Sequence, residues 1–217
     1  MRRTRSQLGL SMIELMIGLL VGLFIAGVGS TLLIGQLRTS RSLLNEARLT
    51  QDLRTAVELV TRDLRRSGHW GGAADATRTN PYAAVAASSA ASDAVGVRYS
   101  MDLNENNTVD SNEQFGFRLR AGVIELQLGA GNWQALTDAG TLTVTSFSLT
   151  PELQTISLDA FCSKPCAAHD TACPPHLQVL SYAVQISAKL VSDSAVVRSA
   201  GSIARVRNDV VVRACAV

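Results

Sequence analysis

The chain opens on a stretch where hydrophobic residues stand on every side. Residues 15–34 read LMIGLLVGLFIAGVGSTLLI and carry no charge. Twenty helical residues rise about 30 Å, the thickness of a bilayer core, so this stretch predicts a membrane-spanning helix. Over 36–66 the pattern changes. Leu49, Leu53, Ala56, Val57, Val60 and Leu64 recur at spacings of three and four, which places them on one helical face. Arg48 with Asp52, Arg54 with Glu58, and Glu58 with Arg62 stand four apart on the other side. Ser67-Gly68 is a fitting stop. The two stretches predict one helix of about 55 residues, apolar all round in its first half and amphipathic in its second.

Residues 71–93 are rich in Ala, Ser, Thr and Gly and contain Asn80-Pro81, the composition of a loop with a short helix. Strand-like runs follow at 94–100, 115–120, 123–128, 141–150, 153–160, 177–190 and 203–214. Alternation is clearest in Leu142 and Val144 and in Val179, Tyr182, Val184 and Ile186. Residues 185–209 predict a hairpin with its turn between Val191 and Gly201. Short connections imply antiparallel pairing. The fold class is therefore α+β, a long N-terminal helix packed on an antiparallel β-sheet head.

Charge fixes the expected orientation. Arg2, Arg3 and Arg5 precede the apolar run, and the positive-inside rule keeps them cytoplasmic, so the bulk of the chain is exported. The net charge of +2 is too mild to argue for nucleic acid. A secretory signal peptide or a simple single-pass anchor would share these features. However, no A-x-A-like site follows Ile34, and neither reading accounts for Glu14, a costly carboxylate at the edge of an apolar segment.

Gly9-Leu10-Ser11-Met12-Ile13-Glu14 resembles the prepilin peptidase site of the type IV pilin superfamily. The resemblance implies cleavage between Gly9 and Leu10 and N-methylation of Leu10. It also implies that Glu14 neutralises the terminal amine of a neighbouring subunit. Leu10 stands where Phe is commoner, and the helix-breaking Pro of many major pilins is missing. Gly18 and Gly22 form a G-x-x-x-G pair that permits close helix approach in assembly, or ordinary small-residue packing. The chain then divides into a leader (1–9), a transmembrane and filament-core half-helix (10–35), an amphipathic half-helix (36–67) and a periplasmic β-rich head (68–217).

Two features of the head carry candidate chemistry. Asp102, Asn104, Asn106, Asp110 and Glu113 occupy positions one, three, five, nine and twelve of a calcium-type loop, and Thr108 would offer its carbonyl. Asn107 stands at the sixth position, where the left-handed backbone favours Gly and tolerates Asn. The spacing predicts a weak, structural Ca2+ site with Glu113 as the closing ligand. A solvated Asn/Asp turn between strands is the plainer alternative.

Cys162, Cys166, Cys173 and Cys215 are an even set in an exported domain, so disulfides are favoured over zinc, despite His169 and His176 nearby. The predicted hairpin favours Cys173–Cys215, which leaves Cys162–Cys166. His69-Trp70 reads as a structural cap. No catalytic motif is present, and an enzyme is not expected.

Residues 9–72, including SMIELMIGLLVGL and RDLRRSGHWGG, resemble PilW-type minor pilins. That resemblance implies priming and entering a type IV pilus used for adhesion, twitching motility and DNA uptake. Its partners would be other minor pilins, the major pilin, prepilin peptidase and the inner-membrane assembly platform. The alternatives are a J-type minor pseudopilin of type II secretion and a non-polymerising, calcium-dependent periplasmic binding module.

Overall fold

The computed structural model describes residues 11–74, 79–87, 94–167, 169–207 and 209–216. α1 (Met12–Arg66) runs unbroken for 55 residues. The chain divides into two units, Met1–Asn45 and Glu46–Val217.

In the first unit, every side chain over 11–44 is exposed. The two hydroxyls within residues 15–34 are satisfied by the helix backbone. Ser30 donates to the Ala26 carbonyl and Thr31 to that of Val28, both at 2.8 Å. Such bonds let polar residues sit in an apolar segment at little cost.

In the second unit, the helix buries the face its spacing predicts. Leu49, Leu53, Val57, Val60 and Leu64 are all at most 3% exposed. Each contributes roughly 1.5–3 kcal/mol by leaving water, whereas an exposed charge pair contributes about 0.2–0.5. Packing, not surface charge, therefore holds this half of α1 in place. Tyr99 donates to Asp63 Oδ2 at 3.1 Å and pins the helix to the sheet behind it. Burial, with the Asp63 charge, raises the Tyr99 hydroxyl far above the usual phenol range, so it remains a donor.

Two antiparallel sheets share this core. The first has strands β1 (Ala86–Ala87), β2 (Ala94–Ser100), β3 (Gln114–Arg120), β4 (Val123–Leu128) and β5 (Trp133–Ala135), in sequence order. The second pairs β6 (Leu142–Ser157) with β7 (His176–Leu190). β8 (Val197–Arg205) and β9 (Val210–Val212) share the other edge of β7.

Strands β1 and β5 fall where no strand was expected, and three further details differ from the sequence expectation. The runs at 141–150 and 153–160 are one strand of 16 residues, because Pro151 sits on an edge strand, where its missing N–H faces away from the ladder. The run at 203–214 is two strands, since the chain leaves the ladder between Arg205 and Val210. A register shift at 144/146 moves the buried set from Leu142 and Val144 to Phe147 and Leu149. The hairpin turn falls at 191–196, inside the predicted window.

Gly96 lies at a second bulge, where the first sheet packs against Phe147 of the second. A Cβ there would stand 2.3 Å from Cε1 of Phe147, whose ring is fully buried. Gly96→Ala is expected to destabilise the head by about 1–3 kcal/mol. A lowered urea midpoint at unchanged slope would register it. A wild-type midpoint would mean that the Phe147 ring can yield.

Candidate functional site

Gly9 and Leu10 lie outside the described residues. Glu14 is in the first turn of α1, whose start is closed by the Ser11 carbonyl accepting from the Glu14 and Leu15 amides at 3.0 and 3.1 Å. Gly18 and Gly22 follow Glu14 at four-residue steps, and Ala26 and Ser30 continue the row. These five residues form one stripe, small except for its leading carboxylate, in a helix whose other faces carry Leu, Ile, Val and Phe. A Cβ added at Gly18 or Gly22 meets nothing within 4 Å. The glycines are therefore not required by any packing among the described residues.

The loop at 102–113 is built from both sides. Gly68, at a positive φ of 73°, ends α1, and its amide donates to the Ser100 carbonyl. The His69 carbonyl accepts from the Asp102 amide at 2.9 Å. Gly71 donates to Asp102 Oδ2 at 3.2 Å, and Trp70 Nε1 donates to Asn107 Oδ1. A Cβ on Gly72 would overlap both the Trp70 ring and Asn107 Oδ1, so this glycine lets the segment press on the loop. Asn107 adopts a positive φ of 61°, as its position in the loop predicts.

Within the loop, Asn104 Oδ1 accepts from the Asn106 amide at 3.1 Å, and Asn106 Oδ1 from the Thr108 amide at 2.7 Å. The Nδ2 groups of both asparagines donate to Asp110 Oδ2 at 2.9 Å.

Glu113 is fully buried. Its Oε1 accepts from the Leu103 amide at 2.8 Å and its Oε2 from the Asp110 amide at 3.1 Å. Tyr82 Oη lies 2.9 Å from Glu113 Oε2 and 2.8 Å from the Thr108 carbonyl oxygen, so one proton serves both. Burial pushes the Glu113 carboxyl up. Hydrogen bonds from Leu103, Asp110, Tyr82 and Asn104 outweigh it and hold the group below the ordinary value. Burial, then the bond to Glu113 and its charge, then the charges of Asp102 and Asp110, push the Tyr82 hydroxyl well above the phenol range. Asp102 is 2% exposed, and its Oδ1 has no hydrogen-bond partner among the described residues.

Tyr82 escaped the sequence reading, and Trp70, read there as part of a structural cap, and Gly71-Gly72 were not connected with the loop. Tyr82 is the only aromatic residue in 71–93, a lone large side chain in an Ala-rich stretch, and that was the available signal.

The cysteines pair differently from the expectation. Cys162 joins Cys215, and Cys166 joins Cys173, in place of Cys173–Cys215 and Cys162–Cys166. The hairpin argument was right about the backbone, since the Ala214 amide donates to the Ala172 carbonyl at 3.0 Å. It failed on side-chain direction. Arg213, at a positive φ of 69°, turns the chain out of strand geometry just before Cys215. The Leu158 amide donates to the Pro175 carbonyl at 2.9 Å and carries the end of β6 across the start of β7 toward that cysteine. His176 Nδ1 lies 2.8 Å from the Pro174 carbonyl oxygen, a local contact at the start of β7.

Residues 42–206 match the family model PpdB, described as prepilin peptidase-dependent protein B. No curated protein and no solved structure matches the chain. The family match begins well after residues 9–14, so it is independent of the cleavage motif.

Proposed function

Because the chain belongs to the PpdB family of prepilin peptidase-dependent, pilin-like proteins, we propose that it is a minor pilin of the PilW type, entering a type IV pilus and helping to prime its assembly. In this reading prepilin peptidase cuts between Gly9 and Leu10, and the amine of Leu10 is methylated. The cleaved chain waits in the inner membrane with its head in the periplasm, then leaves with the filament, at or near the tip. The major pilin, other minor pilins and the assembly platform are its partners. Adhesion, twitching motility and DNA uptake are the processes served, with no catalytic role for the chain itself.

The observation that carries the proposal is the stripe of Glu14, Gly18, Gly22, Ala26 and Ser30 on the 11–44 segment of α1, whose side chains are all exposed. A bare anchor needs only hydrophobic length. A carboxylate leading a row of small residues suits close approach of a second helix whose terminal amine meets Glu14. An unpaired carboxylate in that setting is strongly unfavourable, so the pair would fix the axial register of subunits.

The test is Glu14→Ala in the native strain. Processing and membrane levels should stay normal, while incorporation into sheared filaments drops at least tenfold. Unchanged incorporation would remove the assembly role. A deletion strain separates the filament types. Loss of pili and of twitching supports the minor pilin. Normal piliation with a secretion defect assigns the chain to the type II pseudopilus, and normal function in both systems favours the non-polymerising module.

A further inference from the structure

We propose that the 102–113 loop binds one calcium ion through Asp102, Asn104, Asn106, Asp110 and the Thr108 carbonyl, with Glu113 as a brace rather than a ligand. The starting point is Asp102. A carboxylate oxygen that is buried without a partner is a costly arrangement, and a cation is one of the few things that relieves it. None of the four loop carboxylates, Asp102, Glu105, Asp110 and Glu113, forms an ion pair with a basic side chain among the described residues.

The rest of the loop is arranged for the same charge. Two amide Nδ2 groups, from Asn104 and Asn106, already converge on Asp110 Oδ2 and stand in for a cation there. The Oδ1 atom of each asparagine holds one backbone N–H and keeps a second lone pair for a metal. The Thr108 carbonyl likewise keeps a lone pair beyond the one facing Tyr82. Hard cations such as calcium take this all-oxygen mixture of carboxylate, amide and carbonyl, whereas magnesium demands a tighter octahedron.

Glu113 is different. Both of its oxygens already accept, from Leu103 and Asp110, with Tyr82 and Asn104 adding to them. It holds the two ends of the loop together. Among the described residues no three His, Cys, Asp or Glu side chains yet converge on one point. The ion therefore draws Asn104, Asn106 and Asp110 toward Asp102, and Trp70, bonded to Asn107, reports the movement. With two ligand charges, affinity belongs in the range of about 10⁻⁴–10⁻³ M found for extracellular modules.

The experiment uses the full chain in detergent micelles, stripped with chelator, in a Trp133→Phe background. Calcium chloride is titrated against magnesium chloride at matched ionic strength. Expected are a saturable change in Trp70 emission with calcium and a rise in melting temperature of about 3–5 °C at tenfold excess over Kd. Asp110→Asn and Asn104→Ala should weaken the response tenfold or more, and Glu58→Gln, on the exposed face of α1, should leave it intact. If Asp102→Asn fails to fold, the variants at Asn104 and Asp110 decide. The assignment is overturned by no saturable response, by an equal response to magnesium, or by a response that survives both loop variants.

Discussion

Cys215→Ser is expected to cost the head about 4 kcal/mol, and Cys166→Ser about 2.5, because the two bridges close loops of very different length. Cys162 and Cys215 are 53 residues apart, Cys166 and Cys173 only 7. Loop-closure entropy removed from the unfolded chain grows with the logarithm of that separation. The longer bridge also has the larger local task. β9 has only three residues, two of them exposed, and pairs with β7 alone. Without the bridge, little holds the C-terminal segment, and its amides should exchange quickly while those of β7 and β8 stay protected. Urea denaturation of the two variants under non-oxidising conditions measures the difference. Equal losses, or a Cys215→Ser variant within 1 kcal/mol of wild type, would contradict it. A non-reduced peptide map should recover 162 with 215 and 166 with 173.

Glu113→Ala should be the most damaging single change in the loop, at about 3 kcal/mol or more, since it leaves the buried Tyr82 hydroxyl and the Leu103 and Asp110 amides without their shared acceptor. The ionised form is the one being held, which sets the sign of the pH dependence. The folded value is lowered, so the unfolded chain takes up the proton first as pH falls. The contribution is complete above the ordinary value near 4.5 and is lost as pH falls from there through the folded value. Wild-type stability should therefore decline on the acid side, and Glu113→Gln should flatten that decline while lowering stability at neutral pH. A Glu113→Gln curve parallel to wild type down to pH 3 would show that another carboxylate carries the acid sensitivity.

Much of the architecture was legible because its signals are local. The face made by Leu49, Leu53, Val57, Val60 and Leu64 follows from period alone, and those residues are the buried ones. The strands at 94–100 and 123–128 emerge with their expected limits, the second because positive-φ turns at Ala121-Gly122 and Gly129 bound it closely. Pro151 misled, since a proline inside an apolar run reads as a break unless its strand is known to be an edge. Which strand is an edge is a property of the assembled sheet.

The candidate sites divide along the same line. Spacing in the chain was enough to single out Glu14 with its glycines and the oxygen-bearing residues of the 102–113 loop. Both are patterns of fixed sequence separation, and helix pitch or one tight turn converts separation directly into position. Three things needed the folded chain. They are the saturation of Glu113 by neighbours, the arrival of Tyr82 and Trp70 from the segment after α1, and the partner of each cysteine. Each depends on residues distant in sequence and on the direction of a single side chain. A positive φ at Arg213 or a crossing at Leu158 sets that direction, and neither leaves a periodic trace.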